Sequence, residues 1–325
     1  MQQNRSKVNM PGDVYDIVII GGGPAGLTAG LYAARSKMKT LMIESFSVMG
    51  QATMTDLIEN YPGIEKTNGF DLITKVKGQA VSFGLECAQG TVTGIGRHSR
   101  DGVSVWKISG DGKEYETLSV IAASGAYPRK IGVPGEKEFT GKGVSYCATC
   151  DGAFFRGKDI LVVGGGNTAV EEALYLTKFG KKVTVVHRRD RLRASGVVQE
   201  RAFASDKIDF AWNSVVEEIR GGEKVESVLL RNVKTDGMTE LACDGVFVFI
   251  GWNANTGFLE GVVELDEKGA VLADDEMKTS SEGVFAAGDC RRKVLNQIVT
   301  ACGDGAVAAY SAEQYVQELK GIAYH

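Results

Sequence analysis

The pattern that most limits what this chain can fold into occurs twice. Residues 14–19, VYDIVI, read as a buried strand and run directly into GGGPAG, which opens the helix-like LTAGLYAAR. Gly21, Gly23 and Gly26 thereby take the positions of a G-x-G-x-x-G turn. The first glycine of such a turn keeps it tight, the second lets backbone approach a pyrophosphate, and the third lets the helix pack close to the strand. The helix N-terminus then offers its N–H groups to the phosphates. A second strand, TLMIE, ends at Glu44, 23 residues after Gly21, where an acid bonds a ribose hydroxyl. The unit then recurs as KDILVV (158–163), GGGNTA with Gly164, Gly166 and Ala169 in G-x-G-x-x-A, the amphipathic VEEALYLTKFG, and KKVTVVHRRDRLRAS. The same offset from Gly164 lands on His187, followed by Arg188, Arg189 and Arg193. An acid there would repel a 2′-phosphate, whereas guanidinium forks bind one. The first copy therefore suits an adenosine with a free 2′-hydroxyl and the second suits NADP(H). Two strand–turn–helix copies, with 42 glycines in 325 residues, predict an α/β chain with two Rossmann-like dinucleotide-binding domains.

Composition excludes other classes. The formal charge is −4 with no sustained basic block, which argues against a nucleic-acid binder. Ile17–Ala34 is uncharged and long enough to suggest a membrane span. GGGPAG in its middle would leave backbone groups unsatisfied in lipid, so that reading is rejected. The polar start, MQQNRSKVNMPGD, has no apolar h-region, so a short disordered extension over 1–13 is expected rather than a secretory signal. The expected compartment is the cytoplasm, where a C-x-x-C pair is more often catalytic or metal-binding than structural.

Such a pair stands in VSYCATCDG (144–152), with Asp151 directly after Cys150. It can be a redox disulfide, half of a zinc site or two neighbouring thiols. Zinc fails on ligand count, because there is no second C-x-x-C and the three histidines, His98, His187 and His325, are scattered; no metal is expected. Further on, TSSEGVFAAGDC (279–290) reads as a strand ending at Gly288–Asp289, ahead of the helix-like LNQIVTACGDGAVAAYSAEQYVQEL. A Gly-Asp pair at a strand end facing the first fingerprint can bond the polyol of FAD; alone it is an ordinary turn. VIAASGAYPRKIGVPG (120–135) reads as a crossover out of the first domain.

Fingerprint, crossover, CATCD, second fingerprint, HRRDRLR and AAGD in this order resemble the low-molecular-weight, bacterial-type thioredoxin reductases, from about residue 14 to the end. The resemblance implies an FAD domain (1–128 and 256–325) interrupted by an NADPH domain (129–255) that carries a redox-active Cys147–Cys150 disulfide. It implies that Gln51, Asn60 and Gln297 lie by the flavin, that Cys150 faces the flavin, that Cys147 is the interchange thiol, and that Asp151 is the acid catalyst. Hydride would pass from NADPH to FAD and on to the disulfide, and thiol exchange would then reduce thioredoxin. The NADPH domain would rotate between the half-reactions on hinges near Ala126–Lys130 and Gly251–Asn255. A homodimer is implied by the resemblance alone.

The alternatives are the same relay serving another dithiol carrier and a flavin-based redox sensor without fast turnover. Cys87 and Cys243 read as ordinary core or strand residues. Cys290, Cys302 and Ala254 depart from the usual family pattern, and packing is the expected role of both cysteines.

Overall fold

The computed structural model describes residues 13–45, 50–55 and 58–322. The expected N-terminal extension, apart from residue 13, lies outside them, as do residues 56 and 57, between Gln51 and Asn60. The chain forms two compact units, one from the residues up to Tyr127 together with those from Asn253 onward, the other Pro128–Trp252.

The first unit begins with β1 (Tyr15–Ile20), α1 (Pro24–Arg35), β2 (Thr40–Glu44), α2 (Gly69–Ser82) and β3 (Glu86–Gln89). A meander of β4 (Gly94–Arg100), β5 (Val103–Gly110) and β6 (Lys113–Ala122) follows, then the short β7 (Ala126–Pro128). The second unit contains β8 (Val144–Ser145), α3 (Ala148–Asp151), β9 (Asp159–Gly164), α4 (Asn167–Leu176), β10 (Lys182–His187), α5 (Gly196–Phe203) and β11 (Ile208–Trp212). It ends with β12 (Ser214–Gly221), β13 (Val225–Asn232), β14 (Met238–Ala242) and β15 (Gly245–Phe249). The chain returns through β16 (Trp252–Ala254) and completes the first unit with β17 (Val284–Ala286) and α6 (Ile298–Lys320). The two crossings, β7 and β16, pair as a two-stranded sheet.

β1 is buried at every position after Tyr15 because it lies between parallel β2 and β6, with Ile17 opposite Thr40 and Ser119. A strand covered on both faces reads as a continuous apolar run, and YDIVII does so. β9 repeats this in the second unit, with Val162 between Val185 of β10 and Phe247 of β15. Both sheets reverse strand order beside their fingerprint strand, in the orders β3-β2-β1-β6-β5-β4 and β11-β10-β9-β15-β8. Ligands of open α/β sheets bind beyond the strand ends at such a switch point. β17 pairs with β6, setting Ala286 opposite Ala122, which is itself opposite Ile20. Three strand ends are thus level, and the residues that follow each of them converge.

α6 carries a stripe of small buried residues, Ala301, Gly305, Ala308 and Ala312, at helical spacing. The stripe lets α6 settle on α1, where a Cβ on Gly305 would lie 2.1 Å from the Ala25 carbonyl oxygen. Gln297 and Thr300 close a capping box at its start, and Gly321, with φ +67°, ends it in the left-handed region. Asn68 caps α2 by accepting the Asp71 N–H at 2.8 Å, a bond worth about 1 kcal/mol. Among the described residues no helix is long and apolar enough to cross a membrane.

Two glycines of α6 are expected to respond in opposite directions. Gly305→Ala forces a methyl against backbone that has no rotamer to yield, and should destabilise the unit by about 1–3 kcal/mol. Gly303→Ala meets nothing within 4 Å and should stabilise the helix by up to about 1 kcal/mol. Thermal unfolding of both variants against the parent checks the pair.

Candidate active site

At the first fingerprint, a Cβ on Gly21 would lie 2.3 Å from the Ala123 carbonyl oxygen of the chain leaving β6, so this turn admits only glycine. Gly26 is equally closed, 1.9 Å from the Gly21 carbonyl oxygen. Gly23 by contrast opens onto free space, with nothing within 4 Å of a Cβ there. It is the N-cap of α1 and offers no side chain to the first-turn N–H groups. Open space before an uncapped helix start is what a phosphate requires. Glu44, at the end of β2, lies against the middle of the turn, its Oε2 2.2 Å from where a Gly22 Cβ would sit. Its other oxygen accepts from Lys77 on α2.

Gly288 follows β17 with φ +76°, its Cβ position 2.9 Å from the Ala25 methyl of α1, and donates its N–H to Asp304 Oδ2 at 3.1 Å. Asp304 also pairs with Arg291 at 3.3 Å and Lys293 at 2.8 Å, all three largely buried. Asp289 Oδ1 is buried with no hydrogen-bond partner among the described residues, and burial pushes its carboxyl above the usual range. A buried acceptor of this kind wants a donor, and the hydroxyls of a polyol supply one. Asn60 Nδ2 donates to Gln297 Oε1 at 3.0 Å, bringing together two residues 237 apart in sequence. Gln51 Nε2 donates instead to the Ala126 carbonyl at 2.7 Å. The residues present fit a flavin dinucleotide.

The second fingerprint repeats these contacts. A Cβ on Gly164 would lie 2.3 Å from the Phe249 carbonyl oxygen, Gly166 is open, and α4 starts with no side-chain cap. A Cβ on Gly165 would lie 2.4 Å from His187 Nδ1, so His187 stands where Glu44 stands in the first copy. Ala169, fully buried, takes the third position. The arginine loop is tied to the turn by two bonds, Arg193 N–H to the Gly165 carbonyl at 2.7 Å and Ser195 N–H to Asn167 Oδ1 at 2.6 Å. Arg188, Arg189 and Arg193 are exposed and form no ion pair among the described residues. Burial, then the charges of Arg193, Arg189 and Arg188, hold the His187 imidazole below its ordinary pKa. Its Nε2 is buried without a partner among the described residues.

Cys147 and Cys150 form a disulfide, with Cα atoms 5.4 Å apart. Cys147 is the N-cap of α3 and its Sγ accepts the Cys150 N–H at 3.2 Å. Asp151 is half-buried on the same turn, its Oδ2 accepting from Ser145 Oγ at 2.6 Å. The other described cysteines have different surroundings. Cys290 is fully buried with its Sγ 3.3 Å from the Ala122 and Ala287 carbonyls, and burial pushes its thiol up. Cys243 is pushed up to about 12. Cys302 is half-buried, 3.8 Å from Tyr61 OH. Among the described residues no group of three or more His, Cys, Asp or Glu is set to hold a metal.

Two glycine-turn dinucleotide sites and a C-x-x-C disulfide define a flavin- and nicotinamide-dependent disulfide oxidoreductase. The chain belongs to the pyridine nucleotide-disulphide oxidoreductase family, whose model matches residues 15–305. It is 51% identical over 312 residues to the thioredoxin reductase of Peptoclostridium acidaminophilum, covering 94% of this chain and 98% of the relative. It is 48% identical over 308 residues to that of Bacillus subtilis strain 168, covering 94% and 96%. The crystal structure of Lactococcus lactis thioredoxin reductase superimposes with a TM-score of 0.91 at 50% identity, covering 94% of this chain and 99% of that one. The family uses FAD and NADPH.

Sequence reasoning missed Lys77, the Arg291–Lys293–Asp304 cluster and Ser145. None lies at a motif offset, and only the folded chain brings them to the motifs.

The His187 environment can be measured directly. Its imidazole should titrate below the ordinary value of about 6.5, followed by NMR. Arg193→Ala should move the midpoint back upward, because one repelling charge is gone.

Proposed function

We infer that this chain is an NADPH-dependent thioredoxin-disulfide reductase. The observation that carries the reading is one turn holding a disulfide, an N–H donor to Cys147 and a carboxyl, on the unit that also contains the second fingerprint. Pro128–Trp252 is read as the NADPH domain and the discontinuous unit as the FAD domain, close to the boundaries expected from sequence. The FAD contacts are assigned to Gly21, Gly23, Gly26, Glu44, Gln51, Asn60, Gly288, Asp289 and Gln297. Those to NADPH are assigned to Gly164, Gly166, Ala169, His187, Arg188, Arg189 and Arg193. FAD held by the first set would supply two-electron transfer between the nicotinamide held by the second and the disulfide.

The chain's own residues do the rest. Reduction frees two thiols, and the Cys150 N–H held at 3.2 Å favours charge on Cys147. Exposure alone ranks the pair the other way, with Cys150 exposed and Cys147 half-buried. The hydrogen bond is the better guide, because exchange needs a thiolate and the bond stabilises one. Cys147 attacks the disulfide of thioredoxin, Cys150 resolves the mixed disulfide, and Asp151 supplies and recovers the protons. Alternation between nicotinamide and thioredoxin is assigned to rotation of the NADPH domain about the β7 and β16 crossings. The arginines on the second turn support NADPH over NADH. A cytoplasmic homodimer completes the reading, supported by the family resemblance and by the reducing environment that a dithiol product needs.

An anaerobic NADPH titration, read by flavin absorbance, should need about two equivalents for full bleaching, since flavin and disulfide each take one electron pair. Cys147→Ser should bleach with about one and lose thioredoxin reduction. Bleaching of the parent at one equivalent would remove the disulfide from the path and leave a redox sensor. Separately, Arg188→Ala combined with Arg189→Ala should raise KM for NADPH roughly tenfold or more and leave KM for NADH nearly unchanged, measured by steady-state kinetics.

A further inference from the structure

Ser145 belongs to neither fingerprint and has no part in the reading above, yet the Cys147 backbone and the Asp151 carboxyl meet at its hydroxyl. The residue is buried, 4% exposed, on β8, whose pairing with β15 sets it opposite Phe247. Its Oγ accepts the Cys147 N–H at 3.0 Å. The same Oγ lies 2.6 Å from Asp151 Oδ2 and 3.2 Å from the Cys147 carbonyl oxygen. A serine hydroxyl has one proton and two lone pairs. One lone pair is committed to Cys147 N–H, so one proton has two acceptors in reach and one lone pair remains for a donor.

The state of Asp151 decides how these are used. With the carboxyl ionised, the serine O–H points to Oδ2, and 2.6 Å falls in the roughly 2.5–2.7 Å span of charge-assisted O–H···O⁻ bonds. With the carboxyl protonated, its O–H donates to the free lone pair of Oγ, and the serine proton turns to the Cys147 carbonyl. No heavy atom has to move between the two states.

We propose that Ser145 is a positioning residue that follows the proton of Asp151, holding the carboxyl beside Cys147 in both protonation states. The proposal rests on the thiol-exchange reading above. In the first step the Cys147 thiolate bonds one sulfur of the partner disulfide, the partner S–S bond breaks, and its electron pair leaves on the far sulfur. Asp151 protonates that sulfur and becomes a carboxylate, and Ser145 swings its O–H from the Cys147 carbonyl to Oδ2. In the second step Asp151 takes the proton of the Cys150 thiol, and Cys150 bonds Cys147 Sγ. The second partner thiolate leaves and receives that proton from Asp151. The partner gains two electrons and two protons, and the enzyme ends as the Cys147–Cys150 disulfide with Asp151 ionised.

Two disulfide substrates separate this role from a structural one. Thioredoxin releases basic thiolates that need protons, whereas dithiobis-nitrobenzoate releases an acidic aromatic thiol that leaves without one. Ser145→Ala holoenzyme should reduce thioredoxin about tenfold more slowly, a part of the roughly 10²–10⁴-fold that a whole general acid contributes. It should slow dithiobis-nitrobenzoate reduction much less, because only the Cys150 proton and no leaving-group proton then passes through Asp151, and NADPH should bleach its flavin at the parent rate, which also shows that it is folded. The pH profile of kcat/KM for thioredoxin should change, because the carboxyl has lost the hydroxyl that bonds it in both states. Ser145→Thr, which keeps the hydroxyl, should restore rate and profile. Equal slowing on both disulfides with an unmoved pH profile overturns the proposal, as does an unaffected Ser145→Ala or a threonine as poor as alanine. A parent protein that reduces neither disulfide sinks the thiol-exchange reading itself, which is a different result from any of these.

Discussion

In each unit a glycine pressed against a neighbouring strand's carbonyl sets where everything else can go. At Gly21 and at Gly164 a side chain would reach within 2.3 Å of a backbone oxygen, Ala123 in one case and Phe249 in the other. Backbone in the middle of a sheet has no rotamer with which to give way, so any larger residue would push the turn off the strand ends. With glycine there, β1 and β9 turn into helices within three or four residues, and the starts of α1 and α4 come over the ends of the strands. Each start carries the equivalent of about half a positive charge and unbonded N–H groups. The register of β17 on β6 then delivers Gly288–Asp289 to the same rim. The first site is therefore a consequence of strand alignment more than of side-chain packing.

The two copies differ where chemistry requires it and almost nowhere else. The residue that closes over the middle glycine is Glu44 in one and His187 in the other, at nearly the same distance from the missing Cβ. A carboxylate in that place favours hydroxyl donors and repels phosphate. A neutral imidazole followed by guanidinium groups does the opposite. Lys77 complicates the contrast, because it occupies one oxygen of Glu44 and leaves the other for a ligand. One backbone can thus present either charge by changing the last residue of its second strand and the first few of the loop.

This explains how much could be read from the chain beforehand. Strand, glycine turn and helix announce themselves locally, and the 23-residue offset to Glu44 and His187 follows from the fixed length of a βαβ half. The Asn60–Gln297 bond, by contrast, joins residues whose proximity depends on how the first unit closes, and only the family resemblance pointed to either of them. The Arg291–Lys293–Asp304 cluster was hidden for another reason. In sequence it is three ordinary charges in a polar loop and a helix, and only burial turns them into a network holding Gly288. Ser145 was hidden because a serine in a strand carries no signal until its partners are known.

The contrast among the cysteines follows from the same distinction between local and folded information. Cys290 sits beside Gly288–Asp289, near the rim where a flavin is read to bind, yet its sulfur points at two carbonyl oxygens in a fully buried site. Burial opposes a thiolate there more than the Ser124 hydroxyl and the backbone of Ser124, Gly125 and Ala287 favour one, so proximity does not make it reactive. Cys243 is disabled in the same way by burial and by the nearby Asp244 and Asp159 charges. Cys147 differs because it is only half-buried, with the Cys150 N–H donating to its sulfur at 3.2 Å. Burial decides which sulfurs in this chain stay inert, and the short turn from Cys147 to Asp151 keeps its sulfurs out of the core while setting a backbone N–H on Cys147 and a carboxyl on the same turn.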